Sequence, residues 1–353
     1  MPSAEPVQPL ARTAQAFERL AEPLRRELRL HCYRMLGSVH DAEDVTQESF
    51  VRAWRGFARY DETGSFRAWL YRIATNACLD ALTDRKRRRR YLPDQLRPAA
   101  PVPADGAAID GPALDVAWLE PYPDRFLEDI ADAAPNPEAR YSARESVQLA
   151  FVAVIQQLPP RQGAMLLLSD VLGWSSTEIA TLLGRSSAAV NSGLQRARAT
   201  LARQDTGQPL ALAPVDAAQR QLLDRYVAAW ERFDLDGLVA LLSDDARLIM
   251  PPFPQWFVGR AAIHAFNRNV WRSFAGYRLV PAPANGQPAF ALYARTIAAG
   301  PWMAHSLQVL TLDARGVGGI TLFLPPEGPK LFPLFGLSME IGEIGRGLRP
   351  PGG

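Results

Sequence analysis

The regular spacing of apolar residues stops between Tyr91 and about Arg140, and this interruption constrains the fold more than any other feature of the chain. The stretch contains PVPADGAAIDGPALD and ADAAPNPEAR, which are too rich in Pro, Ala and Asp to support a regular core. We therefore predict a linker over 91–141. Because 353 residues exceed what one core usually organises, we expect folded domains on both sides of it.

Helical periodicity occupies both sides of this linker. Apolar residues recur every three or four positions over 15–90, and the pattern resumes over 142–204. The linker itself contains WLEPYPDRFLEDI, whose aromatic residues predict that part of it docks on a folded neighbour. As a flexible coil of about 50 residues, the linker would span about 5–6 Å × √50, or roughly 40 Å.

A third unit of a different class follows the boundary QDTGQPLALAPVD. Two short helices and then the β-like segments AFALYARTI, WMAHSLQVLTLD and GVGGITLFL predict an α+β domain over 216–325. The last stretch, 326–353, is apolar but broken by Gly and Pro. We predict no regular fold for it and expect it to lie across a domain interface.

Charge and cysteine content exclude several classes of protein. The net charge is only +2, but the run RKRRRR concentrates positive charge at 85–90. Cys32 and Cys78 have no metal-ligand spacing around them, which indicates a reduced compartment and no metal site. We see no signal-peptide core and no stretch of roughly 18 apolar residues. We therefore expect a cytoplasmic protein that does not enter the membrane, with no cofactor.

The segment DAEDVTQESFVRAW predicts a helix with two unlike sides. Small and apolar residues share one side: Ala42, Val45, Ser49 and Ala53. Asp44, Gln47 and Glu48 project elsewhere and form an acidic, amide-bearing face. Taken alone, such a face is more often a solvated helix surface.

The segment SFRAWLYRIATNACLDALTDRKRRRR places an aromatic, a cation and an amide beside a packing stripe. The stripe consists of Phe66, Leu70, Ile73 and Ala77. Trp69, Arg72 and Asn76 lie about a quarter-turn away, and these groups are suited to unstacked single-stranded DNA. Positive charge for the phosphates comes from Arg67, Arg85 and Lys86. Taken singly, a Trp at such a position is more often a core residue.

The segment SSTEIATLLGRSSAAVNSGLQRARATLAR has the pattern of a helix-turn-helix. Ser175 and Glu178 are spaced for a capping box, Gly184 ends the first helix, and the second begins near Ser187. The buried stripe of the second helix is Val190, Leu194, Ala197 and Leu201. Its candidate duplex-DNA residues are Arg185, Ser187, Ala188, Asn191, Ser192, Gln195, Arg196 and Arg198. An ordinary helical hairpin remains the structural alternative.

In order and wording, these three motifs resemble the extracytoplasmic-function (ECF) group of the sigma-70 family over residues 20–90 and 142–203. The resemblance implies two all-α domains, a region 2 helical bundle and a region 4 helix-turn-helix, without a long region 3. It implies that Asp44, Gln47 and Glu48 bind the clamp of core RNA polymerase. The segment FRAWLYRIATNA would then melt and read the −10 element, with Asn76 receiving a flipped-out base.

In the same family, region 4 reads the −35 element as duplex DNA and contacts the polymerase flap. The chain has Asn191, Ser192 and Gly193 where many relatives carry Arg, Ser and Arg. This departure implies −35 contacts that are weaker or differently specific.

Residues 216–325 resemble the SnoaL-like, ketosteroid-isomerase-like fold in AAWERFDLDGLVALLSDDARLIMPPFPQWFVGRAAIHAF and SLQVLTLDARGVGGITLFLPP. The resemblance implies a cone-shaped barrel with a pocket for an unidentified small apolar ligand, and regulation of the sigma modules in cis. Candidate lining residues are Trp256, His264, Tyr293 and His305, although each taken singly is more often a packing residue. Asp244 and Asp245 fall at an expected helix-to-strand turn, so we name no catalytic residue.

Two alternatives stay open at this point. A ligand-sensing helix-turn-helix regulator that acts without polymerase would explain 142–204 and the C-terminal pocket, but it leaves DAEDVTQE and WLYRIATNA unexplained. An isomerase or cyclase fused to a DNA-binding arm would need a general base in the pocket, and none is identifiable.

Overall fold

The computed structural model describes residues 13–60, 65–83, 89–107, 109–127, 146–203 and 216–342. The chain divides into two compact units. The first takes Met1–Arg89 and Val154–Gln204, and the second takes Arg90–Ala153 and Asp205–Gly353. The stretch predicted as a linker therefore belongs to the same unit as the C-terminal domain.

The first half of the first unit is a helical bundle. Its helices are α1 (Ala14–Ala21), α2 (Arg25–Leu36), α3 (Val39–Phe57) and α4 (Phe66–Thr83). Gly37 ends α2 in the left-handed conformation with φ of 68°, and Ser38 caps α3 by accepting a hydrogen bond from Asp41 N at 3.1 Å. This sharp turn sets α2 and α3 side by side, and both pack on α4.

The second half of the first unit contains the predicted helix-turn-helix. After α5 (Leu149–Gln157) come α6 (Pro160–Leu166), a π-helical turn (Leu167–Val171), α7 (Ser176–Leu183) and α8 (Ser187–Arg203). Ser175 and Glu178 form the predicted capping box, and Gly184 ends α7 with φ of 62°. This half packs on the first, with the rings of Tyr71 and Trp174 5.6 Å apart.

The second unit is built on one mixed sheet with helices beside it. The helices are α9 (Ala217–Glu231), α10 (Leu235–Ala240) and α11 (Arg260–Trp271). The strands are β1 (Leu242–Ile249), β2 (Trp256–Val258), β3 (Gly276–Pro281), β4 (Ala289–Arg295), β5 (Trp302–Asp313) and β6 (Gly316–Phe323), in the order β2-β1-β6-β5-β4-β3. Only the β1–β6 pair is parallel among these neighbours.

The core of this sheet domain lies between one sheet face and the helices. In the sheet register Leu310 lies opposite Ile320 and Leu279 opposite Leu292, and all four side chains are buried in the core. Trp230 of α9 and Trp271 of α11 meet there with their ring centroids 4.9 Å apart. The three segments predicted as β-like correspond to β4, β5 and β6.

The predicted linker is not a free coil over its described residues. Trp118, Leu119 and Tyr122 are buried, which confirms that WLEPYPDRF docks on a folded neighbour. The Gln95 side chain donates a hydrogen bond to Ala153 O at 3.0 Å, so a residue near the start of the linker touches one beyond its end. The expected span of roughly 40 Å is therefore wrong, because the C-terminal domain supplies partners for the backbone of the linker.

The C-terminal stretch is also folded up to residue 342, contrary to our prediction. It forms α12 (Glu327–Lys330), a 3₁₀ turn (Phe332–Phe335) and β7 (Glu340–Ile341), which pairs antiparallel with β5. Phe332 is fully buried against the ring of Tyr293 at 5.1 Å. Gly and Pro interrupt helical periodicity here, but one edge of β5 is available for pairing, and this long-range contact orders the segment.

Within the described residues, no helix has the length and apolar character needed to cross a bilayer. The same residues contain no group of three or more His, Cys, Asp and Glu side chains that could hold a metal ion. Asp244 and Asp245 lie within β1 rather than at a turn, and they form ion pairs with Arg260 at 3.0 Å and Arg315 at 2.7 Å.

Candidate nucleic-acid and protein interfaces

Helix α3 presents the acidic face that the sequence predicted. Ala42, Val45, Ser49 and Ala53 are buried, whereas Asp44, Gln47 and Glu48 are exposed. Glu48 accepts a hydrogen bond from Arg52 at 2.7 Å, and Arg52 also reaches Asp80 of α4 at 3.1 Å. These bonds, with Asp80 contributing most, raise the pKa of Arg52. Arg52 therefore links the edge of the acidic face on α3 to α4.

Helix α4 exposes two of the three residues expected to contact single-stranded DNA. Arg72 and Asn76 are one turn apart and exposed. Trp69 is half-buried, because its ring packs against Tyr60 at 5.1 Å and Phe66 at 5.4 Å. Trp69 is thus partly a packing residue, and only the rest of its ring can meet a base.

The remaining basic residues assigned to this surface differ in their surroundings. Arg67 donates two hydrogen bonds to Glu27, at 2.9 and 3.0 Å, and its guanidinium lies over the ring of Tyr71. It therefore ties α4 to α2, while 40% of its side chain stays exposed. Its contact with DNA stays a prediction. Arg85 and Lys86 lie outside the described residues.

A buried polar pair joins α4 to α2, and the sequence pattern did not predict it. His31 Nε2 lies 3.0 Å from Thr75 Oγ1, and both residues are buried. Burial lowers the pKa of His31 to about 3, with the positive charges of Arg34 and Arg67 adding to the effect. The imidazole is therefore neutral at pH 7. A lone His within an apolar helical pattern carries no signal by which its partner could be found.

Helix α8 places its predicted DNA-reading residues outward. Val190, Leu194 and Ala197 are buried and Leu201 is half-buried. Ser187, at the start of the helix, is half-buried. The other candidate residues are exposed: Arg185, Ala188, Asn191, Ser192, Gln195, Arg196 and Arg198. The side chain of Ser176 donates a hydrogen bond to Asn191 Oδ1 at 2.5 Å. The NH₂ group of the same amide is not used in this bond and keeps its two donors.

The two basic residues in the middle of α8 are not equivalent. Arg198 pairs with Asp170 at 2.5 Å, and this carboxylate raises the pKa of Arg198. Arg196 is exposed and has no ion pair among the described residues. Of the two, Arg196 is the cation free to meet a phosphate.

Gly193 lies on the buried side of α8, not on the outward face. A Cβ at this position would stand 2.5 Å from Met165 Sδ of α6. Gly193 therefore packs against α6, and Asn191 is the departure that lies on the outward face. The effect of these departures on −35 contacts stays a prediction.

The four residues expected to line one pocket lie in different surroundings. Trp256 is on edge strand β2, where its indole N–H donates to Arg97 O of the linker at 2.8 Å. His264 of α11 is near Asp236 at 3.3 Å, and Tyr293 donates to Ser338 O at 2.8 Å. His305 contacts Phe274 at 5.1 Å, and burial lowers its pKa to about 4. A linker residue contacts Trp256, and residues of the C-terminal stretch contact Tyr293. The role of the four residues as the lining of one pocket stays a prediction.

A cavity of about 320 Å³ lies elsewhere in the second unit. It is lined by Pro123, Asp124, Arg125, Leu127, Pro281, Ala282, Pro283 and Phe335. Half of the residues that line this cavity belong to the docked linker segment. In the sequence, the signal for this docking was the aromatic content of WLEPYPDRF.

Comparison with known proteins relates these surfaces to a family. Sequence models match three parts of the chain: Sigma-70 region 2 at residues 20–88, Sigma-70 region 4 at 148–201 and the SnoaL-like domain at 223–314. The ECF RNA polymerase sigma factor SigG of Mycobacterium tuberculosis is 44% identical over 328 residues, which cover 91% of this chain and 84% of SigG. The chain belongs to the ECF sigma factor family.

Further relatives agree with this membership. SigW of Bacillus subtilis, also an ECF RNA polymerase sigma factor, is 29% identical over 193 residues, covering 54% of this chain and 88% of SigW. The crystal structure of Mycobacterium tuberculosis SigJ, an extracytoplasmic function sigma factor, matches with a TM-score of 0.57 and 23% identity, covering 86% of this chain and 95% of SigJ. The predicted order of two helical sigma domains and a SnoaL-like domain is confirmed.

Membership decides between the open alternatives. The chain is an ECF RNA polymerase sigma factor, so a helix-turn-helix regulator that acts without polymerase is not favoured. A SnoaL-like domain is shared with the isomerase alternative, but an enzyme alone would not account for both Sigma-70 regions.

Proposed function

We propose that this sigma factor directs core RNA polymerase to particular promoters and helps to open them through three surfaces. The acidic face of α3 docks on the polymerase clamp. The exposed side of α4 grips the melted −10 element, and the outward face of α8 reads the −35 duplex, with region 4 seated on the flap.

The observation that carries the proposal is the outward face of α8. The capping box at Ser175 and the turn at Gly184 define the two ends of α7. Val190 and Leu194 are buried and pack α8 on the rest of the motif. The face then offers the amides of Asn191 and Gln195, which are suited to pairing with base edges in the major groove.

The opening step follows from the chemistry of α4. Flipping a base out of the stack costs a few kcal/mol, so groups that hold the flipped base must recover that free energy. The amide of Asn76 can bond a base edge, and the guanidinium of Arg72 and the ring of Trp69 can stack on bases. No bond is made or broken by these residues, and their binding energy shifts the promoter toward its melted form.

Run-off transcription with purified core polymerase on a genomic promoter library tests the proposal. We expect transcripts from a distinct set of promoters that share a −35 and a −10 element. A matched control carries Gly184→Val, which forces a β-branched residue into the left-handed turn and should abolish −35 recognition. Transcripts that do not depend on the added sigma factor, or that start equally at all sequences, would contradict the proposal.

We further propose that the SnoaL-like domain regulates the sigma modules in cis. Docking of linker residues such as Trp118 and Tyr122 in the same unit as the sheet supports this role. Forms ending near Pro325 and near Gln204 should differ from the full chain in transcription at equal core saturation. The first loses β7 and the cover over Tyr293, whereas the second also strips the linker of its docking surface. Three indistinguishable activities would refute regulation in cis.

A further inference from the structure

A turn of the SnoaL-like domain grips the linker at two places far apart in sequence. Asn285, between β3 and β4, is fully buried and adopts the left-handed conformation with φ of 57°. Its backbone N–H donates to Tyr122 O and its Oδ1 accepts from Tyr122 N, both at 2.8 Å. Its Nδ2 donates to Val147 O at 2.6 Å. One side chain therefore holds both the middle of the linker and the entrance to region 4.

The residues after Asn285 reinforce this grip. Gly286 N donates to Asp124 Oδ1 at 2.8 Å, and Gln287 Oε1 accepts from Leu149 N at 3.2 Å. Gln287 Nε2 is tied to the sheet through Leu310 O at 3.2 Å, so the grip rests on β5. We call Asn285, Gly286 and Gln287 the linker clasp. Since its partners are largely buried backbone groups, release would leave them unpaired.

The linker clasp shortens the connection between region 2 and region 4. The clasp binds Asp124 and Val147, which lie on either side of residues 128–145 in the sequence, so that stretch adds no reach between region 2 and region 4 while the clasp is closed. Tyr91 is already docked, since its N–H donates to Ala117 O at 3.0 Å. Arg90 is docked as well, since its guanidinium donates to Trp118 O at 3.0 Å. Region 2 is then connected to the docked segment by the six residues 84–89, which fully extended reach about 20 Å, against roughly 170 Å for 50 residues.

We propose that the linker clasp sets an upper limit on the promoter spacer, the number of base pairs between the −35 and −10 elements. The inference rests on the proposed function, in which α8 and α4 read these two elements. Each added base pair moves the elements apart by about 3.4 Å. A short fixed connection cannot follow such steps, whereas opening the clasp would free residues 128–148, a coil of about 20 residues that spans about 5–6 Å × √20, or roughly 25 Å.

The test uses the full chain with core polymerase and one promoter whose spacer is lengthened and shortened in single base-pair steps. The clasp variant combines Asn285→Gly with Gln287→Ala; glycine keeps the left-handed turn and removes only the side-chain bonds. The control is Asn269→Ala, which also breaks two side-chain bonds to the linker, at Ala104 and Gly106. Because those residues lie inside the docked segment, their release adds no reach between the two regions.

We expect transcription by the wild type to fall at least about tenfold at two base pairs beyond its best spacer, since the DNA must then be deformed. The clasp variant should fall less than about threefold there, while short spacers are unaffected and Asn269→Ala follows the wild type. Circular dichroism checks the fold, and Asn285→Gly alone gives the same measurement if the double variant unfolds.

Two results would overturn the inference. One is an identical spacer profile in all proteins, and the other is an equal rise at every spacer in the clasp variant, which indicates release from a general inhibition. Failure of the proposed function looks different, because the wild type would then give no −35-dependent transcript at any spacer.

Discussion

The substitution Asn76→Ala tests the contact with a flipped base without disturbing the folding of the sigma domain. The amide of Asn76 is exposed on α4 and forms no hydrogen bond to the described residues, so its removal leaves no buried group unpaired. Alanine has a higher helix propensity by up to about 0.7 kcal/mol. We therefore expect an unchanged or slightly higher melting temperature. Loss of one base contact should cost about 1–3 kcal/mol, which lowers the extent of promoter opening by about 5- to 150-fold.

Permanganate footprinting of the −10 element measures opening, and a titration with core polymerase measures binding in parallel. Trp69→Ala is the informative comparison, because Trp69 packs against Tyr60 and Phe66. It should lose both opening and about 2 kcal/mol of stability, less than the 3–5 kcal/mol typical of a fully buried Trp. Normal opening by Asn76→Ala at equal core occupancy would refute the role given to this helix.

Three further predictions concern the other surfaces and the core. Reversing the charge of Asp44 and Glu48 to Lys should abolish copurification with core polymerase while circular dichroism stays unchanged; normal copurification would mean that the face is only solvated. Gln195→Ala should change the preferred −35 sequence in a selection experiment, whereas Arg196→Ala should keep the preference, weaken all promoters and reduce the salt slope by about 0.9. His31 has a folded pKa of about 3, so protons bind the unfolded chain first and stability falls as pH drops from about 6.5 toward 3, by up to about 1.4 kcal/mol per pH unit. Urea unfolding of His31→Gln should lack this part of the acid sensitivity, and an equal pH dependence in both proteins would contradict the assignment.

Local chemistry explains which parts of the fold could be predicted. Ser175, Glu178 and Gly184 determine the ends of α7 through bonds that span four residues or fewer, so the helix-turn-helix follows from its own sequence. The outward placement of Asn76 likewise follows from helical period. Burial of Gly193 follows from the same period, because Gly193 is three residues after Val190 and four before Ala197. The period does not predict that Met165 of another helix is its neighbour.

The surroundings of the four candidate pocket residues could not be predicted for a related reason. Alternation along a strand predicts which face a side chain occupies, but not which later or earlier segment covers that face. Trp256 is covered by residue 97 of the linker, and Tyr293 by residues 332 and 338 of a stretch that carries Gly and Pro at the positions where periodicity would be sought. The covering segments have no periodic pattern of their own, so their order comes entirely from the sheet domain.

The linker clasp could not be predicted from the sequence, because its residues already have a local role as a turn. Asn285 and Gly286 both have positive φ and read as an ordinary two-residue hairpin turn, which fully accounts for an Asn-Gly pair between two strands. The turn leaves the Asn amide unused, and a buried amide must find partners. Tyr122 and Val147 lie outside the helices and strands, and their backbone groups pair with this amide. The bonds thus join the turn to positions more than 130 residues away in the sequence, a separation that no local pattern could reveal.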